Sequence, residues 1–106
     1  MDRRTKTLLE ARAKIIKAMA HPSRLYMLQC LEKRPHCVCE LTRLVGADKS
    51  TVSKHLTVLK NAGVVTCERR GVEVCYALRM LCIRRFFSCV ESVLRMNAEA
   101  TRRMAA

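Results

Sequence analysis

The apolar positions of this chain change period twice. From Thr5 to Ala20, "TKTLLEARAKIIKAMA" places Leu8, Ile15, Ile16 and Met19 in a helical stripe with basic residues between them. His21-Pro22-Ser23 interrupts it, and Pro22 suits the first turn of a second helix, where no N–H is needed. "SRLYMLQCLEK" then brings Leu25, Met27, Leu28 and Leu31 to one side, and Arg34-Pro35 ends the helix, because a proline pushes the residue before it out of helical geometry. "CVCELTRLVG" reads as a short third helix with an inner face of Val38, Leu41, Leu44 and Val45, stopped by Gly46. A fourth helix follows in "ADKSTVSKHLTVLKNAG". Asp48 or Ser50 is its N-cap, Val52, Leu56 and Leu59 its inner face, and Asn61 and Gly63 its end. Two helices about three residues apart predict a helix-turn-helix.

Past Gly63 the period drops to two. Val65 and Cys67 alternate outward, Val74, Tyr76 and Leu78 alternate back, and Arg70-Gly71 marks the turn of a β-hairpin. Cys67 and Cys75 fall on opposite faces of that hairpin, so no bond between them is expected. Helical spacing returns through Leu81, Phe86, Val90, Val93 and Leu94. The order predicts a mainly α chain with a β-hairpin wing, a winged helix-turn-helix. No repeat or linker divides residues 1–106, so one domain is expected, with its core across roughly residues 14–94.

Charge changes the picture from fold to partner. Lys and Arg number 21 against 9 acids among 106 residues, a net charge of +12. So large an excess points to a polyanion, foremost double-stranded DNA, ahead of a membrane surface. Away from its inner face the fourth helix carries Lys49, Ser50, Thr51, Ser53, Lys54 and His55. A solvated helix would need no such set. A recognition helix needs short hydrogen-bonding groups for base edges and cations for phosphates. Arg69 and Arg70 at the hairpin tip extend the same surface. No apolar run is long enough to span a bilayer, and the basic start lacks the apolar core of a signal peptide, so a cytoplasmic protein is expected. No nucleophile–base pair, phosphate loop or catalytic zinc pattern is present, and no enzyme is expected.

Seven cysteines in a reducing compartment argue for metal, metalloid or redox chemistry rather than a disulfide framework. Cys37-Val38-Cys39 is the leading pair. Residues two apart share a side in an extended segment but diverge by about 200° in a helix, so both thiols can grip one ion only where the segment is not wholly helical. Helix N-termini favour thiolate over thiol, and soft thiolates suit arsenite, antimonite, Cd, Pb or Zn. Cys82 and Cys89, seven apart on the last helix, are the second candidate site, or else part of an apolar seam continued by Met96. Cys30 reads as core and His21 as structural, while His36 is an extra candidate ligand beside Cys37.

"HPSRLYMLQCL", "CVCEL", "STVSKHLTVLKNAGVV" and "RRGVEVCYAL" together resemble the ArsR/SmtB family of winged-helix metal-sensing repressors, and its arsenic-responsive members above all. The resemblance implies a homodimer built on the first and last helices, two recognition helices on a palindromic operator, and an effector, arsenite or antimonite, that releases the DNA with no obligatory cofactor. The apolar stripes of both terminal helices agree, since they exceed what one small core absorbs. Cys37 and Cys39 match the first two ligands of the family's arsenic site. The third falls at Thr42, which has no thiol. The last helix lacks the Asp/His pattern of the family's zinc sites. A thiol redox or persulfide sensor remains an alternative, as does an architectural DNA-binding protein with inert cysteines.

Overall fold

Pro22 sets the first boundary of the computed structural model, which describes residues 1–105. Helix α1 (Arg3–Met19) ends just before it, and α2 (Pro22–Lys33) starts on it with His21 as N-cap, whose Nδ1 accepts from the Ser23 amide at 3.1 Å. Next come β1 (His36–Cys37), α3 (Val38–Val45), α4 (Lys49–Asn61), β2 (Val65–Arg70), β3 (Glu73–Leu78) and α5 (Ile83–Ala105). Gly46 takes the left-handed conformation, φ 75°, that closes α3 and opens the tight turn into α4. Asp48, one of the two caps the pattern offered, starts α4 by accepting the Thr51 amide at 2.8 Å. Ser50 is already inside the helix, its hydroxyl turned back to Asp48.

The core lies where α2, α3, α4 and the hairpin meet. Met27, Leu28, Leu41, Val52, Leu56 and Leu59 are fully buried there. The strands form an antiparallel sheet in the order β1–β3–β2, with Cys67 opposite Tyr76 and Glu68 opposite Cys75. Cys67 and Cys75 therefore do face opposite sides. Among the described residues no helix is long and apolar enough to cross a membrane.

Four readings of the pattern need correction. His36–Cys37 forms a strand pairing with β3, whereas the pattern places Cys37 at the start of the third helix. Two residues carry no periodicity, so nothing local announces them. Leu44 is 47% exposed rather than part of the inner face of α3, because a two-turn helix presents only Val38 and Leu41 fully to the core. Leu81 and Cys82 precede α5 instead of lying on it. The Cys82 carbonyl accepts the Phe86 amide, which makes Cys82 the start of the first helical turn. Ile83, absent from the expected stripe, is the fully buried residue that anchors α5 to the core.

The terminal helices stand apart from this centre. Leu8, Ile16, Val90, Val93 and Leu94 are between 45% and 56% exposed. The accessible surface is 8020 Å², against about 6,000 Å² for a compact monomer of this mass. The radius of gyration is 16.7 Å, where about 13 Å is usual for this length.

Candidate nucleic-acid interface and thiol site

Helix α4 divides the expected DNA-contacting residues into three groups. Each residue turns about 100° around a helix, so Val52, Leu56 and Leu59 fix the direction of the core and the rest follow. Ser50 and Lys54 point almost directly away from it, with Thr57 beside them, and all three are exposed, as is Thr51. Thr57 was missed by the sequence reading, although the helical period alone selects it. Its hydroxyl donates to the Ser53 carbonyl at 2.9 Å, which leaves its lone pairs outward.

Lys49 and Ser53 lie on the flank that faces the wing, where they line a cavity with Cys37, Cys39 and β3. His55 lies on the other flank, against α2. Arg24 Nε donates to His55 Nδ1 at 3.1 Å, and the His21 and His55 rings stand 4.4 Å apart. Burial first, then the nearby His21 and Arg24, lowers the His55 pKa from its ordinary value. His55, half-buried with its Nδ1 engaged by Arg24, packs at the α2–α4 junction rather than on the outward face with Ser50 and Lys54. Arg24 also donates to the Ala18 carbonyl at 3.2 Å, tying α1 to this junction.

The wing tip is open. Arg69, Arg70 and Val72 are exposed, and Arg70 makes a surface ion pair with Glu68 at 3.6 Å. Such a pair contributes about 0–1 kcal/mol, so it does not hold Arg70 back from a phosphate.

The thiols follow from the N-terminal boundary of α3. Cys37 is extended, with φ −81° and ψ 162°, and serves as N-cap, whereas Cys39 is inside the helix. This break lets both residues line the same cavity of about 440 Å³. Glu40 braces the junction. Its carboxylate accepts the Cys37 amide at 3.3 Å and the Cys37 thiol at 3.6 Å, and pairs with Arg34 at 2.7 Å. The Arg34 hydrogen bond and then the Cys37 amide hold the Glu40 carboxyl at about 2. Thr42 has no thiol and does not line the cavity; its hydroxyl donates to the Val38 carbonyl at 2.8 Å.

Among the described residues no group of three or more His, Cys, Asp or Glu side chains is arranged to hold a metal ion. His36, the extra candidate ligand, is buried with Nδ1 against the Arg34 carbonyl at 2.8 Å. Cys75 is the neighbour that the sequence reading missed. It sits directly across the sheet from Cys37, and its partial burial pushes its thiol pKa up. No short-range pattern could pair residues so far apart in the chain.

Cys82 and Cys89 are both exposed and stand at the start and in the second turn of α5. Seven residues of helix separate them by about 10 Å along the axis, too far for one ion within a protomer. Cys30 is half-buried against the core, as its reading required.

Known proteins bear on this arrangement. The family described as "Bacterial regulatory protein, arsR family" matches residues 21–66, from the cap of α2 into β2. The HTH-type transcriptional repressor SmtB of Mycobacterium tuberculosis is 41% identical over 71 residues, 67% of this chain and 53% of the repressor. The HTH-type transcriptional regulator NmtR of the same organism is 39% identical over 62% of this chain and 55% of the regulator. The chain thus spans about half the length of these curated relatives. Among solved structures, M. tuberculosis Rv0081 matches with a TM-score of 0.78 and 32% identity, covering 89% of this chain and 95% of that one. Mb0332 of Mycobacterium bovis, described as a homodimeric winged helix-turn-helix DNA-binding domain, matches with a TM-score of 0.79 and 28% identity over 94% and 93%. With the family match over residues 21–66 and a 32%-identical structure matched over 89% of the chain, this protein belongs to the arsR family of bacterial regulatory proteins.

Proposed function

We propose that this chain is a cytoplasmic, homodimeric transcriptional repressor that binds a duplex operator and lets it go when a thiophilic metal or metalloid, foremost arsenite, engages Cys37 and Cys39. The observation that carries the reading is the shared cavity: the two thiols and the α4 residues Lys49 and Ser53 line one space. An ion bridging the thiols must draw Cys39 toward Cys37 and so disturb the first turn of α3, the helix packed against α4. Cation-rich α4 and the wing supply the DNA surface, and the net charge of +12 supplies long-range attraction. The apolar stripes left exposed on α1 and α5, with a total accessible surface above that of a compact monomer, support the dimer, as does the homodimer described for the M. bovis relative.

Release requires that arsenite prefer the DNA-free conformation. By linkage, DNA then weakens arsenite binding by the same factor, typically about 1–3 kcal/mol. The test is fluorescence anisotropy of labelled operator. Arsenite should free the DNA from the wild type and from Cys82→Ser/Cys89→Ser. It should leave DNA bound to Cys37→Ser and to Cys39→Ser, whose DNA affinity stays near wild type. Release that persists in the Cys37/Cys39 variants and vanishes in the Cys82/Cys89 variant would move the sensor to α5.

A second reading, thiol oxidation, is favoured by the Cys37–Cys75 pairing. Directly opposed residues in an antiparallel pair hold their Cβ atoms about 4.5–5.5 Å apart, close to what a disulfide needs. Hydrogen peroxide would take up the two electrons and two protons and leave as two waters. Peroxide-driven release that is lost in Cys75→Ser, with arsenite inert, would select this reading.

A further inference from the structure

Strand β1 stands between two cavities. His36 and Cys37 are neighbours on a strand and so point to opposite faces. Cys37 lines the thiol cavity, and His36 lines a second cavity of about 340 Å³. The walls of the second come from α2, through Tyr26, Gln29, Cys30 and Lys33, from Arg34 in the link to β1, and from Leu44 of α3. None of these side chains lines the thiol cavity or lies on α4. His36 is 6% exposed, and a polar ring so buried normally has its hydrogen bonds filled. Its Nδ1 stands 2.8 Å from the Arg34 carbonyl, which can only accept, so Nδ1 carries the proton and donates. In the neutral ring Nε2 is then a bare lone pair. No side-chain nitrogen or oxygen sealed from solvent lacks a partner among the described residues, so this Nε2 opens into the cavity. The charge of the site belongs to Lys33, which is exposed at the end of α2 and pairs with no acid among the described residues. Arg34 is already held by Glu40. Tyr26 and Leu44, 39% and 47% exposed, supply the apolar walls.

We propose that this cavity binds a hydroxylated aromatic carboxylate of a single ring. The carboxylate meets the Lys33 ammonium and the Gln29 amide, the ring lies against Tyr26 and Leu44, and the hydroxyl donates to His36 Nε2. Size agrees, since about 150 Å³ is enough for a benzene ring and the remainder admits its two polar substituents. A metal cation would face Lys33 and Arg34. An inorganic anion would leave the apolar walls unused, and a neutral phenol would leave Lys33 without a counter-charge. The site is independent of the thiol sensor, because the two cavities share no lining residue. Its place gives it a bearing on DNA recognition all the same: Leu44 lies just before the Gly46 turn into α4, and His36 is bonded in sequence to Cys37.

Calorimetric titration of the purified protein with 3-hydroxybenzoate, 4-hydroxybenzoate, benzoate, phenol and inorganic phosphate tests the assignment. At least one hydroxybenzoate should bind once per protomer with a Kd of about 1 mM or tighter, as a ligand of about ten non-hydrogen atoms allows. Benzoate, which lacks the hydroxyl, should bind roughly three- to tenfold more weakly, and phenol and phosphate more weakly still. Lys33→Gln, on the surface and harmless to the fold, should weaken hydroxybenzoate by about threefold or more. His36→Asn keeps an N–H for the Arg34 carbonyl and removes only Nε2. It should erase the preference for hydroxybenzoate over benzoate while a urea midpoint confirms the fold. Cys37→Ser with Cys39→Ser should bind as the wild type does. No hydroxybenzoate binding at about 1 mM, or an affinity unchanged in Lys33→Gln, overturns the site. A preference that survives in folded His36→Asn, or phosphate binding as tightly as hydroxybenzoate, overturns the ligand class. Binding lost in the Cys37/Cys39 variant would put the acid in the thiol cavity and overturn its placement, whatever arsenite does there.

Discussion

Leu56 in α4 and Leu94 in α5 look alike in the sequence: each lies on a helical apolar stripe among basic residues. In the structure Leu56 is fully buried and Leu94 is 56% exposed. The two regions they represent differ throughout. The centre, α2 to α4 with the wing, closes its own core. The outer layer, α1 and α5, leaves its stripe uncovered. The cysteine pairs divide the same way. Cys37 and Cys39 straddle a helix start in the centre and converge on one cavity, whereas Cys82 and Cys89 stand two turns apart on the outer layer. An apolar period predicts that a face will be covered, not by what. Cys37 and Cys39 share a cavity because the backbone between them changes conformation.

The difference can be broken most directly by truncating each leucine. Leu56→Ala should cost about 2–5 kcal/mol in urea melts, whatever the protein concentration, because the cavity opens inside one protomer. Leu94→Ala should instead act through association, with a loss that shifts with protein concentration between two melts. A Leu94→Ala cost independent of concentration would mean that the outer stripe is covered within its own chain.

Within the centre, the outward face of α4 and the wing should separate by specificity. Ser50→Ala or Thr57→Ala should cost about 1–3 kcal/mol on the operator and little on an unrelated duplex, as base-edge contacts do. Arg69→Ala with Arg70→Ala should weaken all duplexes alike and reduce the salt slope by about 0.9 for each phosphate no longer neutralised. Ser53→Ala sharpens the division. It should alter arsenical response more than operator choice, since Ser53 lines the thiol cavity. Equal behaviour of the two sets in binding titrations at several salt concentrations would erase the division.

The smallest effect lies at the α2–α4 junction. The His55 pKa is lowered in the folded state, so the unfolded chain takes up its proton first, near the ordinary value of 6.5. The stability that neutral His55 contributes is therefore present above that pH and lost as pH falls through the lowered folded value. Urea midpoints measured from pH 8 to pH 5 should decline across this window, and His55→Gln should flatten the decline. An unchanged slope would show that the Arg24–His55 contact does not depend on charge.

His55 also marks how far the sequence could be read. It was grouped with Ser50 and Lys54 because all are polar and off the Val52–Leu56–Leu59 face. Helical angle alone leaves its flank ambiguous, and it took the position of Arg24 and His21 on α2 to bury it. Thr57 shows the converse, a residue the angle does select but composition hid behind the more basic first turns.

The element order, the breaks at Pro22, Pro35, Gly46 and Gly63, and the inner faces of α2 and α4 were determined by the sequence itself. Caps, prolines and apolar periods act within a few residues, and a single chain segment contains everything they need. The CxC spacing likewise determined that the two thiols would face one space only at a break in the helix. Tertiary structure alone decided the rest: that His36–Cys37 pairs with β3 and sets Cys75 opposite Cys37, and that Lys49 and Ser53 close the same cavity as Cys39. Those neighbours are distant in the chain, and no local rule acts between them. They meet because the burial of Leu41, Leu56 and Tyr76 in one core draws α3, α4 and the wing together.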